Sequence, residues 1–472
     1  MKTFDLIIIG GGAGAFAAAI RANELSAEGG KAKTAMINAG LPLGGTCVNV
    51  GCVPSKMLLW AGETMHHAKH HGIPGLDIEI KNFDFQKVVQ DELSLVERLR
   101  QEKYEKVLKY LENVTVIEGR AVFTSPKEIE VNGEKLSADK FIIAAGSTAN
   151  IPPIENIREV GFVTHIEALK LKKQHKELIV IGAGPVGLEF GQMFSRFGTK
   201  VTILEYGPSI FGPGEPELVN KLAEILAAEG IMIYTGAKAT KARVENGKKV
   251  LTFEVDGQTK EVSAEEVLLA AGKTANTEGL GLEKASVDVD KRKAIIVNQF
   301  FQTTADHIFA VGDVTNGPLR LEPTAGREGT LAAENALKGA VLSIDYNTVP
   351  YTIFTDPQLA GVGFTEDEQM KQMGVCACRT VSFEDVPKAI IMRRTEGMIK
   401  MAIHPQTKQI LGVHILAPNA GELIAEAMML VKNKNTIDDV VNSLPMFPTL
   451  SEAIKIVALS FTKDISKLSC CI

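Results

Sequence analysis

Short runs of consecutive apolar residues, each closing in small residues, recur along this chain and set its expected architecture. Phe4 to Ile9 reads as a strand buried in a parallel sheet. Gly10-x-Gly12-x-x-Ala15 follows, then the helix-like Ala17 to Leu25 and a second strand, Lys33 to Asn38. The same order returns with Leu178 to Ile181, Gly182-x-Gly184-x-x-Gly187, a helix through Phe197 and a strand Lys200 to Leu204. Other apolar strands end in Ala144-Ala145-Gly146, in Ala270-Ala271-Gly272 and in Val311-Gly312-Asp313. Glu92 to Leu111 has the spacing of a long, charged amphipathic helix. Ile151-Pro152-Pro153 marks a domain crossing. After Asp345 apolar strands alternate with amphipathic helices and no phosphate-binding loop recurs.

A strand, a glycine turn and a helix in that order let backbone approach a pyrophosphate at a helix N-terminus. Two such fingerprints imply two dinucleotides, usually one flavin and one nicotinamide. Gly10, Gly12, Gly14 and Ala15 are the candidate contacts in the first, Gly182, Gly184 and Gly187 in the second. The first ends in Asn38, where an acid would normally hold ribose hydroxyls. The second ends in Glu205, whose carboxylate suits both ribose hydroxyls and repels a 2′-phosphate, favouring NADH over NADPH. Arg196 is the nearest basic residue on the preceding helix.

The chemistry concentrates in Gly44-Gly45-Thr46-Cys47-Val48-Asn49-Val50-Gly51-Cys52-Val53-Pro54-Ser55-Lys56. Five residues of ideal helix advance about 7.5 Å, more than the roughly 4.4–6.8 Å that a disulfide spans. A Cys47–Cys52 bridge therefore needs a turn or a distorted helix start, and Gly51 supplies the freedom. Lys56 shares the face of Cys52 on a continuing helix, where a cation stabilises a thiolate. The alternative is two unlinked, buried cysteines.

At 472 residues the chain has room for two to four domains, and 45% hydrophobic with 23% charged residues is the balance of a globular protein. A net charge of −6 argues against nucleic acid as a partner. The acid at Asp5 and the Gly10–Gly14 cluster speak against a leader peptide, and no apolar run reaches membrane-spanning length. These features predict a cytoplasmic protein, in which a cysteine pair is catalytic rather than structural.

These motifs resemble, over nearly the whole chain, the FAD-dependent pyridine nucleotide–disulfide oxidoreductases. The resemblance implies an α/β fold with two Rossmann-like domains and an α+β C-terminal dimerisation domain. Its expected division is an FAD domain at 1–150 and 274–345, an NAD(P)H domain at 151–273 and a dimer interface at 346–472. It implies that Cys52 lies against the flavin and Cys47 meets the substrate. Lys56 would pair with Glu189, and Asp313 would bind the ribityl or phosphate region. Gly45, Thr46, Gly146, Gly272 and Gly312 join the expected cofactor contacts.

Within the family, Phe461 to Cys471 resembles the C-terminus of mercuric reductases, and Phe354-Thr355-Asp356-Pro357-Gln358 and Asp385-Val386-Pro387-Lys388-Ala389 fit. Dithiol-specific members carry a histidine before Pro-Thr near the C-terminus; here Phe447 precedes Pro448-Thr449 and cannot shuttle protons. Hg(II) is thiophilic and calls for thiolate ligands instead. The resemblance then implies a homodimer that reduces Hg(II), taken up as a thiol complex, at Cys47 and Cys52, with Cys470 and Cys471 delivering the ion. Three departures stand against it: Glu205 favours NADH where mercuric reductases commonly use NADPH, Thr449 replaces a common tyrosine, and the chain starts directly at the FAD strand. A dihydrolipoamide dehydrogenase-like or thioredoxin-reductase-like enzyme is the alternative. His66, His67, His70 and His71 form two i, i+4 pairs, a possible metal site, but no acid nearby completes a ligand set, so a solvated face is expected. His414 reads as packed within a strand, and Cys376-x-Cys378 as incidental.

Overall fold

A computed structural model describes residues 2–28, 32–467 and 469. Its first sheet has seven strands. Lys2–Ile9 lies at the centre, parallel to Thr34–Asn38 on one side and Glu134–Ile143 on the other. Val114–Glu118 and Ile308–Ala310 extend it in parallel, and Ala121–Ser125 and Glu128–Val131 add an antiparallel flap. Ile7 and Ile8 are fully buried, as covering both faces of a parallel sheet requires. Helices Ala13–Ala27 and Glu322–Lys338 pack on one face through Ala15, Ala18, Ala19, Ala22, Ala332 and Ala333, which lets them approach closely.

The second sheet is four parallel strands in the order Met232–Tyr234, Lys200–Leu204, Glu177–Ile181, Glu266–Leu269. A three-stranded antiparallel sheet, Lys238–Ala264, covers it. The ribbon Ser147–Ala149 with Lys273–Ala275 joins the two halves. The third sheet is antiparallel, in the order Tyr351–Ile353, Gln358–Gly363, Ile410–Ala417, Met398–Ile403, Ala377–Ser382. Helices Ala420–Lys432 and Glu452–Leu459 share its core. Around this unit Ile390, Ile391, Leu444, Met446 and Phe447 are exposed, an apolar surface of the kind that marks an interaction site.

Three local expectations are refined. The amphipathic helix begins earlier, at Phe85, because Asp84 caps it by accepting from the Lys87 amide at 3.1 Å. It runs to Arg100 and passes through a wider turn at Gln101–Glu105. His414 is buried in its strand and hydrogen-bonds the Phe364 carbonyl at 3.1 Å. Cys376 and Cys378 are joined as a disulfide, which spacing alone left as incidental.

Candidate active site

The cysteine stretch folds as two helices, Gly45–Val50 and Cys52–His70, broken at Gly51. A Cβ at Gly51 would lie 2.9 Å from the Thr46 carbonyl oxygen, so the break packs too tightly for any other residue. Asn49 locks the short helix from inside: its Nδ2 donates to the carbonyls of Pro42, Leu43 and Gly45 at 2.8–3.1 Å. Ser55 Oγ donates to the Gly51 carbonyl at 2.7 Å and secures the second helix.

Cys47 and Cys52 are both unbonded thiols facing a cavity of about 1680 Å³. They differ sharply in acidity. The Cys47 thiol donates to the Cys52 sulfur, and this bond, followed by burial, raises Cys47 well above the ordinary thiol range. The same bond lowers Cys52; burial opposes it, and the Lys56 charge assists. Cys52 also opens its helix, where amide dipoles favour a thiolate.

Lys56 Nζ stands 2.6 Å from Glu189 Oε2 and 4.6 Å from the centre of the Phe354 ring. The other Glu189 oxygen accepts from the Phe354 amide at 2.9 Å. One buried carboxylate thus joins the thiol-bearing helix, the helix Pro185–Arg196 and the loop at Phe354.

Residues placed far apart in sequence line the same cavity: Gly12, Gly14, Thr46, Gly146, Gly182, Gly184, Glu205, Gly272, Gly312 and Asp313. Gly10, Ala15, Asn38, Gly45 and Gly187 stand behind this lining as supports. A Cβ at Gly187 would sit 1.9 Å from the Gly182 carbonyl oxygen, so the second loop can turn only with glycine there. Asp313 accepts from Ser147 Oγ at 2.6 Å, and the Gly312 amide donates to Glu328 at 2.6 Å. Glu205 accepts from the Ala183 and Gly207 amides, both at 2.6 Å, at the tip of its strand. One continuous cavity runs past both glycine turns and reaches Cys47 and Cys52, and the backbone at each turn suits a dinucleotide pyrophosphate.

Several expectations change. Asn38 donates to the Leu41 carbonyl and to the Glu118 carboxylate at 3.0–3.2 Å and does not line the cavity. Arg196 is turned away from the nucleotide cleft, holding Glu229 at 2.8 Å and Asp356 at 3.0 Å. The histidine face is not simply solvated. His67 Nε2 lies 3.0 Å from Asp356 and 3.4 Å from Glu63. Those carboxylates, Asp356 first, raise His67 to about 8. Arg196 and Arg394 also bond Asp356, so the cluster is an ion-pair network bracing the thiol-bearing helix. His66 is lowered to about 4, mainly by burial, and stacks on His70. Cys470 and Cys471 lie outside the described residues.

Three residues that pattern reasoning did not single out face the cavity. Glu322, at the start of its helix, adds negative charge that acts on both cysteines. Lys238 lines the cavity beside Glu205, and Lys273 Nζ lies 3.1 Å from His165 Nε2. None belongs to a motif; each arrives through a distant strand or helix end.

Residues 4–329 match the pyridine nucleotide-disulphide oxidoreductase family, and residues 349–458 match its dimerisation domain. A mercuric reductase of Staphylococcus aureus is 39% identical over 470 residues, covering 99% of this chain and 84% of that protein. A dihydrolipoyl dehydrogenase of Thermus scotoductus is 38% identical, covering 98% of each. The Cu(II) complex of the HOCl-induced flavoprotein disulfide reductase RclA from Escherichia coli superposes with a TM-score of 0.85 at 26% identity, over 98% of this chain and all of that one.

Proposed function

The chain belongs to the pyridine nucleotide-disulphide oxidoreductases, an FAD-dependent family that uses pyridine nucleotides, and from that membership we propose that it is an NAD(P)H-dependent mercury(II) reductase. The observation that carries the reading is an asymmetric dithiol, a lowered Cys52 beside a raised Cys47, open to a large cavity. Such a pair gives a soft cation two sulfur ligands whose remaining protons are displaced on binding. Bound FAD would supply two-electron transfer between the reduced nicotinamide and the Cys47–Cys52 pair. Lys56 holds negative charge on Cys52 and is itself held by Glu189. Phe447 offers no proton relay, and a metal substrate, having no sulfur to deprotonate, needs none. Glu205 keeps a carboxylate at the ribose end, which favours NADH.

The match to a dimerisation domain supports a homodimer. Among the described residues no helix is long and apolar enough to cross a membrane. The domain division at residues 150, 273 and 345 belongs to this proposal, as does delivery of Hg(II) by Cys470 and Cys471 to the partner subunit's site. The reactive dithiol suits a reducing compartment such as the cytoplasm.

A disulfide-reductase reading is favoured by one observation: Glu322 sits beside the thiol pair and offers a carboxylate for proton transfer. NADH oxidation with Hg(II) in excess thiol, run beside oxidised lipoamide, decides between them. Hg(II)-dependent oxidation with elemental mercury released supports the proposal. Lipoamide turnover without it overturns the proposal.

A further inference from the structure

The Cys376–Cys378 pair has no part in that reaction. It stands where Ala377–Ser382 begins, at an outer edge of the third sheet that no other strand covers among the described residues. Alternation along a strand directs both side chains to one face. Glu366, opening the helix Glu366–Met373, brings a carboxylate oxygen to the same spot: that oxygen and the two sulfurs lie within 4.8 Å of one another. Lys400 fixes the carboxylate, with Nζ 2.6 Å from Glu366 and 2.7 Å from the buried Glu215. All three groups are half-buried, so a small ion reaches them while a bulky oxidant is hindered.

We propose that Cys376, Cys378 and Glu366 form a second metal site, for a soft thiophilic cation, closed as a disulfide and opened by low-molecular-weight thiols. Opening consumes two thiols: the Cys376–Cys378 bond breaks, two protein thiols form and the small thiols leave as their disulfide. A mercuric bis-thiolate then exchanges both ligands, giving one protein-bound dithiolate and two free thiols. Two sulfurs fixed on one face act at high effective concentration, which drives the exchange. Glu366 adds a weaker oxygen contact. The site stands beside the root of the C-terminal segment: the Arg379 guanidinium lies 5.6 Å from the Phe461 ring, and Ala377, Phe461 and Ile465 pack on one core. It does not depend on the substrate of the inner pair.

The test uses the full, flavin-loaded chain carrying Cys47→Ala, Cys52→Ala, Cys470→Ala and Cys471→Ala. Iodoacetamide should add nothing before reduction and about two labels after it. Dialysis against Hg(II) with excess cysteine should leave about one ion per reduced chain and almost none per oxidised chain. Adding Cys376→Ala and Cys378→Ala should abolish that binding, and Glu366→Gln should weaken it about tenfold without changing the thiol count. No Hg(II) on the reduced chain, or binding that survives loss of both cysteines, overturns the site. Should the fourfold variant lose its flavin, Cys376→Ala/Cys378→Ala in the otherwise unchanged chain should bind about one Hg(II) fewer; equal stoichiometry overturns the proposal.

Discussion

The two described cysteine pairs have the same atoms and opposite settings. Cys47 and Cys52 straddle a broken helix, stay unbonded and open onto a deep cavity. Cys376 and Cys378 sit on an edge strand and are bonded to each other. The helix behind the first pair is braced at both ends, by Lys56 on Glu189 and by His67 on Asp356. The second pair meets Glu366, whose carboxylate is already held by Lys400, and the Arg379 guanidinium donates to the Cys378 carbonyl at 2.9 Å. Thiol reactivity here follows helix ends, cations and access, and the number of sulfurs says little about it.

The largest test of that contrast removes one sulfur from each pair. Cys52→Ser should lower Hg(II)-dependent NADH oxidation at least about 1000-fold while retaining flavin. Cys378→Ser should leave that rate within about twofold. Equal losses in steady-state assays would erase the distinction between the pairs.

Lys56→Met removes the cation that favours the Cys52 thiolate and strands the buried Glu189. Cys52 should become less acidic, so that iodoacetamide labelling of the reduced protein needs a higher pH. Turnover at pH 7 should fall about 10–100-fold. An unchanged labelling profile would show that the helix end alone sets the thiolate.

At the far end of the cavity, Glu205→Ala should cut kcat/KM for NADH about tenfold and that for NADPH by less. Cys52 labelling should not change, since the ribose end carries no charge to the thiols. A wild-type preference for NADPH would assign the decision to Lys238, because Arg196 is bound to Glu229 and Asp356.

The smallest effect concerns the brace. His67 is raised from 6.5 to about 8 by Asp356 and Glu63. Its protonated form therefore contributes fully below pH 6.5, and the contribution is lost as pH rises through 8. After allowance for solvent screening of a half-exposed group, the loss should be about 1 kcal/mol. In urea unfolding, the change in stability from pH 6 to pH 9 should differ by that amount between the natural chain and His67→Gln, since His66 and His165, lowered by burial, contribute equally to both.

Local pattern determined much of this protein. Apolar runs ending in glycine turns mark both parallel sheets, because a buried strand needs continuous apolar residues and a close-approaching turn admits only glycine. Cys47, Cys52 and Lys56 were legible for the same reason: their relation lies within about two helical turns. Tertiary structure alone decided what depends on distant segments. Glu189 meets Lys56 across 133 positions, a pair that the family resemblance implied and local pattern did not, and Asp356 meets Arg196 across 160. The reach of Asp356 to His67 turned an apparently solvated histidine face into a brace, and the capture of Arg196 took it out of the nucleotide cleft. Asn38 donates to Glu118 because a neighbouring strand ends beside it. Periodicity records which face of an element is buried, whereas a charge partner is chosen by packing between elements, and local sequence carries no record of that choice.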